Sequence, residues 1–175
     1  DLVEYGITTS KADYWVHVVP PAKAIYVYKR TAMLGSIKRN MNKFEQREIV
    51  SARGWIVPKT MKFIRKVGLP AAWFVDWTTV NKESDHAVGE YCEHVCFDAC
   101  EQGYFPFRVE VEYIDDLSEQ YEGCDLRARI NPIRIEVKAD VKAADTPNLF
   151  VQTHEGGHDH AGRNAHRAIQ AEVVA

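Results

Sequence analysis

No stretch of this sequence approaches the roughly 20 consecutive apolar residues that a membrane-spanning helix needs. Its opening, Asp1-Leu2-Val3-Glu4, also lacks the basic and apolar regions of a signal peptide. A soluble, intracellular protein is expected. Low-complexity repeats and long Gly/Ser linkers are missing too, so nothing divides the chain into separate parts. With 175 residues and 46% of them hydrophobic, it is long enough for one domain with a substantial core and too short for two.

Cysteine is scarce, and its spacing is wrong for a secreted disulfide framework. Cys92, Cys96 and Cys100 recur every four residues and would line one helical face. Packing on the buried side of a helix is the expected role. Zinc ligation by these three together with Cys124 is the competing reading.

The net charge of -3 conceals an asymmetry. Lys23 to Lys66 holds twelve Lys/Arg against Glu45 and Glu48, whereas Glu83 to Asp125 holds thirteen acids against Arg108 alone. Two solvated faces of opposite sign would explain this. So would a basic surface for a phosphate backbone beside an acidic, cation-collecting site.

Hydrophobic periodicity predicts strands at Trp15–Val19 and Ala24–Tyr28, separated by Pro20-Pro21. An amphipathic segment, Thr31–Asn40, follows with Met33, Leu34 and Ile37 facing inward. Gly54–Pro58 reads as a strand and Lys59–Val67 as a helix stopped by Gly68 and Pro70, while residues 71–84 carry no clear signal. Ala87–Gln102 has helical period with Gly103 as its C-cap. Strands are then expected at Phe107–Tyr113, Asp125–Ile130, Ile133–Lys138 and Leu149–Thr153, which makes an α/β or α+β layer arrangement. The end, from Gly156 to Ala175, is expected to be a His/Gly/Ala-rich tail, loosely ordered until a last helical turn.

Glu136 and Lys138 stand two apart on a predicted strand, so both point to one face. Asp125 begins another strand and can meet Glu136 if the two pair. Phosphodiester hydrolysis needs this chemistry: carboxylates that hold a divalent ion, and a cation beside the attacking water and the developing charge. An isolated E-x-K is common on the wet face of ordinary strands. The wider context is more specific: Gly123-Cys124-Asp125-Leu126, then Ile135-Glu136-Val137-Lys138-Ala139-Asp140, then Thr146-Pro147-Asn148-Leu149-Phe150-Val151. This series resembles the small PD-(D/E)XK nucleases found especially in phages. In those proteins the E-V-K strand is followed by an acid and by a Thr-Gly-Asn turn into the next core strand. Pro147 replaces the expected Gly, and Gln152 stands where many relatives carry Glu.

A second block, Gly6-Ile7-Thr8-Thr9-Ser10-Lys11-Ala12-Asp13-Tyr14-Trp15, resembles a stretch that the family carries after its catalytic strands. Gly54-Trp55-Ile56-Val57-Pro58 also resembles a late segment. The two blocks have therefore exchanged places, as in a circular permutation, which requires that the old termini lie close together. The resemblance implies a restriction-endonuclease-like α/β core, a central mixed sheet flanked by helices. Residues 1–155 would form one nuclease-like domain, with 1–70 as the late-segment block and 84–155 as the catalytic block. Implied too are DNA as partner, Mg²⁺ or Mn²⁺ as cofactor, and Asp125, Glu136 and Lys138 as the catalytic core. Asp125, Glu136 and a helix carboxylate, Glu93 or one turn earlier Glu90, would be the metal ligands. Lys11, Lys38, Arg39, Lys43, Arg47 and Asn148 would contact DNA. A phage-encoded member would work in the host cytoplasm.

Two other readings compete. His154-Glu155-Gly156-Gly157-His158 matches the H-E-x-x-H zinc motif of metallopeptidases, which requires a helix. Each of its two glycines costs about 1 kcal/mol in a helix interior, so a loop is expected instead. The basic segment could also serve a non-catalytic nucleic-acid-binding module.

Overall fold

The computed structural model describes residues 6–39, 54–111, 132–141, 146–152 and 166–173. Strand β1 (Tyr14–Val19) turns through a short 3-10 segment at Pro20–Ala22 into β2 (Ala24–Lys29). The turn closes at Lys23, in left-handed conformation (φ 52°), whose N–H donates to the Pro20 carbonyl at 3.0 Å. Helix α1 (Arg30–Arg39) follows directly, then β3 (Gly54–Pro58), β4 (Arg65–Gly68) and a 3-10 stretch, Ala71–Thr79. Helix α2 (Asp85–Glu101) precedes β5 (Val109–Val111), β6 (Pro132–Ala139), β7 (Asn148–Gln152) and β8 (His166–Val173).

The architecture is mixed α/β. Six strands form one sheet in the order β4-β2-β1-β6-β8-β5, and β3 pairs with β7 in a separate two-stranded sheet. Among the described residues only β1 and β6 run parallel; the other ladders are antiparallel. Both ends of the chain thus build one sheet, since β1, β2 and β4 from the first 70 residues join β6, β8 and β5. The strand carrying Glu136 lies beside Trp15–Val19 rather than in the sheet of Leu149. Trp15, Val16 and Val18 are fully buried there, each being 0% exposed.

Strand alternation sorts the core into two layers. Val16, Val18, Ile25, Val27, Ile135 and Val137 face α2, where Val88, Cys92, Val95, Cys96 and Cys100 cover them. Trp15, Val19, Tyr26 and Tyr28 face the other way, against Met33 and Ile37 of α1 and Val57, Leu149 and Val151 of the small sheet. Helix α2 starts at Ser84, whose hydroxyl accepts from the Ala87 N–H at 3.1 Å. It stops before Gly103, at φ 79°. Its three cysteines are buried and free, as their spacing predicted. Burial pushes the Cys92 thiol up, and a hydrogen bond with Cys100 and burial do the same for Cys96. Cys124 lies outside the described residues.

Three expectations need correction or replacement. The helix predicted over Lys59–Val67 is instead a turn followed by β4, which pairs with β2 from Ala24↔Gly68 to Val27↔Arg65. A ladder along the open edge of β2 outweighs the weak helical propensity of this basic segment. Exposed Arg65 and Lys66 then charge the outer edge, which discourages further pairing. Residues 71–79, which carried no clear signal, form the 3-10 stretch, anchored by buried Phe74. The expected last helical turn of the tail is a strand: His166–Val173 pairs with β6 on one side and β5 on the other. Strand 125–130 lies outside the described residues. Among the described residues no helix is long and apolar enough to cross a membrane.

Candidate active site

Because Ile135 and Val137 face α2, Glu136 and Lys138 must face the opposite layer. Both are buried there, each 5% exposed. The parallel register sets Trp15 beside Glu136 and His17 beside Lys138. The Lys138 ammonium lies 4.9 Å from the centroid of the Trp15 ring and donates to Gln152 Oε1 at 3.5 Å. The indole face and amide oxygen partly compensate its lost hydration. For Glu136, burial pushes the carboxyl pKa up, and Lys138 and then Arg134 oppose the rise.

His17, 1% exposed, continues this polar strip. Its Nε2 is 2.6 Å from the Tyr28 hydroxyl, and its Nδ1 faces Asp140 Oδ2 at 3.5 Å. Asp140 extends the parallel ladder by one bond, donating its N–H to the Val18 carbonyl at 2.9 Å. Its charge is felt on both layers of the core. After burial itself, it is the cause that raises the pKa of Tyr26 and Tyr28, and it contributes to the rise at Cys92. His17, Lys138, Ala139, Asp140, Phe150 and Gln152 line a small open pocket. It lies at the carboxyl ends of the parallel strands, where ligands of α/β sheets commonly bind.

The Gly6–Trp15 block is tied to the neighbouring strands. Ile7 N–H donates to the Gln152 carbonyl at 2.7 Å, and Ser10 Oγ accepts from Trp15 Nε1 at 3.3 Å and Ala12 N–H at 3.1 Å. Arg30 braces the turn through the carbonyls of Ile7 and Thr8. Phe150 lies over Gly54, where an added Cβ would come within 2.2 Å of its ring. Glycine is what lets this ring sit at the pocket's rim.

The sequence candidates divide sharply. Glu136 and Lys138 come together on one face. Glu93 is 8% exposed but rides on α2, the layer across the sheet from Glu136. Glu90 is half exposed, between His86 at 3.5 Å and His94 at 3.8 Å on the helix surface. Lys11, Lys38 and Arg39 are exposed, the last two in the final turn of α1, where they also complement the helix dipole. Asn148 is half-buried at the start of β7. Asp125, Lys43, Arg47 and the His154–His158 motif lie outside the described residues. Among the described residues no three His, Cys, Asp or Glu side chains converge on one metal position. Sequence reasoning overlooked His17 and Tyr28 as site neighbours; the available signal was a His in the otherwise apolar run Trp15-Val16-His17-Val18-Val19.

Compared with known proteins, the chain matches no family model, no curated protein and no solved structure.

Proposed function

We propose that the protein is a metal-dependent nuclease of the PD-(D/E)XK type that hydrolyses DNA phosphodiester bonds. The restriction-endonuclease-like core would be present in circularly permuted order. The supporting observation is the burial of Glu136 and Lys138 on one face of an interior strand. On a solvated strand an E-x-K pattern means little. Here two ionisable groups give up most of their hydration, a cost of several kcal/mol per ion that packing alone does not require.

A divalent ion suits the residues present. The Glu136 carboxylate is a hard oxygen donor whose charged form is penalised by burial, and a cation would offset that penalty. In this reading Glu136 and Asp125 hold Mg²⁺ or Mn²⁺, and Glu93, on the other side of the sheet, is not a ligand. The ion supplies an activated water and stabilises negative charge on the phosphate. Lys138, held by Trp15 and Gln152, orients that water and neutralises the developing charge. Lys11, Lys38, Arg39, Lys43, Arg47 and Asn148 track the DNA backbone.

The test is cleavage of a panel of labelled duplex, single-stranded, flap and junction DNAs with Mg²⁺, Mn²⁺ or EDTA. Glu136→Gln and Lys138→Ala should each lower the rate by at least about a hundredfold with DNA affinity largely kept, the scale expected for loss of one charge-stabilising group. DNA binding without cleavage in either metal would favour a non-catalytic binding module.

A further inference from the structure

Buried polar atoms are nearly always hydrogen-bonded, so two that face each other without a bond require an explanation. His17 Nδ1 and Asp140 Oδ2 are such a pair: both atoms are buried, neither has a hydrogen-bond partner, and they are 3.5 Å apart. That separation leaves them within ion-pair range if His17 is protonated, but without a hydrogen bond. It suits two ligands of one metal ion, because bonds of about 2.0–2.2 Å opening at a tetrahedral angle put their ends roughly 3.4 Å apart.

The far side of the ring supports the same conclusion. Nε2 is 2.6 Å from the Tyr28 hydroxyl, and Tyr28 is itself buried. With the proton on Nε2 and donated to the phenol oxygen, Nδ1 presents a lone pair to a carboxylate oxygen. Two acceptors then repel unless a cation lies between them. With the proton on Nδ1, the ring faces the carboxylate at 3.5 Å without forming a hydrogen bond. A second-shell group that fixes the tautomer by engaging the other ring nitrogen is a regular feature of metal-bound histidine. Lys138, next to His17 in the ladder, is directed to Trp15 and Gln152.

We propose that His17 Nδ1 and Asp140 Oδ2 bind a divalent transition-metal ion, with the pocket lined by Lys138, Phe150 and Gln152 supplying its remaining positions to water or ligand. One nitrogen and one carboxylate oxygen favour Zn²⁺ or Mn²⁺ over Mg²⁺. The site is separate from the carboxylates of the nuclease reading and does not depend on that reading.

The experiment uses the whole chain, stripped with EDTA and dialysed, then titrated with Zn²⁺ by calorimetry while the histidine ring nitrogens are followed by NMR. Saturable binding is expected to shift the His17 Nδ1 resonance. His17→Gln and Asp140→Asn should each weaken that binding at least about tenfold, and Tyr28→Phe less; the factor is the lower bound for disturbing a metal site. Asp140 closes a strand at the pocket, so Asp140→Asn gives a readout even if His17→Gln fails to fold. Unchanged affinity in Asp140→Asn would place the ion elsewhere and overturn the proposal. So would a His17 ring that ignores Zn²⁺, or a metal-free Nδ1–H bonded to Asp140. DNA cleavage that persists through any of these results would leave the nuclease reading standing.

Discussion

The two faces of the six-stranded sheet come from alternate residues of the same strands, yet they obey different economies. Toward α2, strands β1, β2 and β6 contribute Val16, Val18, Ile25, Val27, Ile135 and Val137, all apolar. Toward α1 and the small sheet they contribute Trp15, Tyr26 and Tyr28, together with buried His17, Glu136 and Lys138. The first face gains from every side chain it removes from water. The second gives up hydration of charged groups, and only partial compensation is visible in the Trp15 ring, Gln152 and Tyr28. One face is apolar throughout, and the other mixes an apolar cluster with buried ionisable groups.

Truncating the apolar face should have the largest effect on stability. Ile135→Ala is expected to cost about 2–5 kcal/mol, as for buried aliphatic side chains elsewhere, measured by urea denaturation. A cost under about 1 kcal/mol would show that the α2 layer is loosely packed.

Removing the charges from the other face should do the opposite. The double variant Glu136→Gln/Lys138→Met should be as stable as the parent or more stable by about 1–4 kcal/mol, the range seen when buried charges give way to packed neutral groups. It should not cleave DNA. A large loss of stability would mean that the polar strip is structural, and the contrast between faces would collapse.

A smaller effect concerns pH. Burial raises the Glu136 pKa in the folded state, so over the intervening range the native protein holds more protons than the unfolded chain. Its contribution to stability is then fully present below the unfolded carboxylate value and is lost as pH rises through the folded one. Urea midpoints in the metal-free protein should therefore decline with pH across that interval, and the decline should be shallower in Glu136→Gln. Identical pH profiles would show that Glu136 is solvated.

The short-range pattern was a sound guide wherever a residue's role depends on its immediate neighbours. Period two marked β1, β2 and β6 and showed that Glu136 and Lys138 share a face. Period 3.6 marked α2, with Gly103 after its last turn and its cysteines inward. Local preference failed where pairing decided the outcome. Arg65–Gly68 and His166–Val173 became strands because β2, β6 and β5 offered them unpaired backbone.

What the sequence determined by itself was the alternation that sends Glu136 and Lys138 to one side of a strand, because the geometry of adjacent peptide units requires it. Which side, against which partners, and how deeply buried was decided only by the tertiary structure. The parallel pairing of β1 with β6 brings together distant parts of the chain; at its start the Arg134 N–H donates to Asp13 Oδ2 across 121 positions. Burial and the approach of His17 to Asp140 are products of that pairing. Desolvation and ligand geometry depend on groups that become neighbours only when the sheet closes.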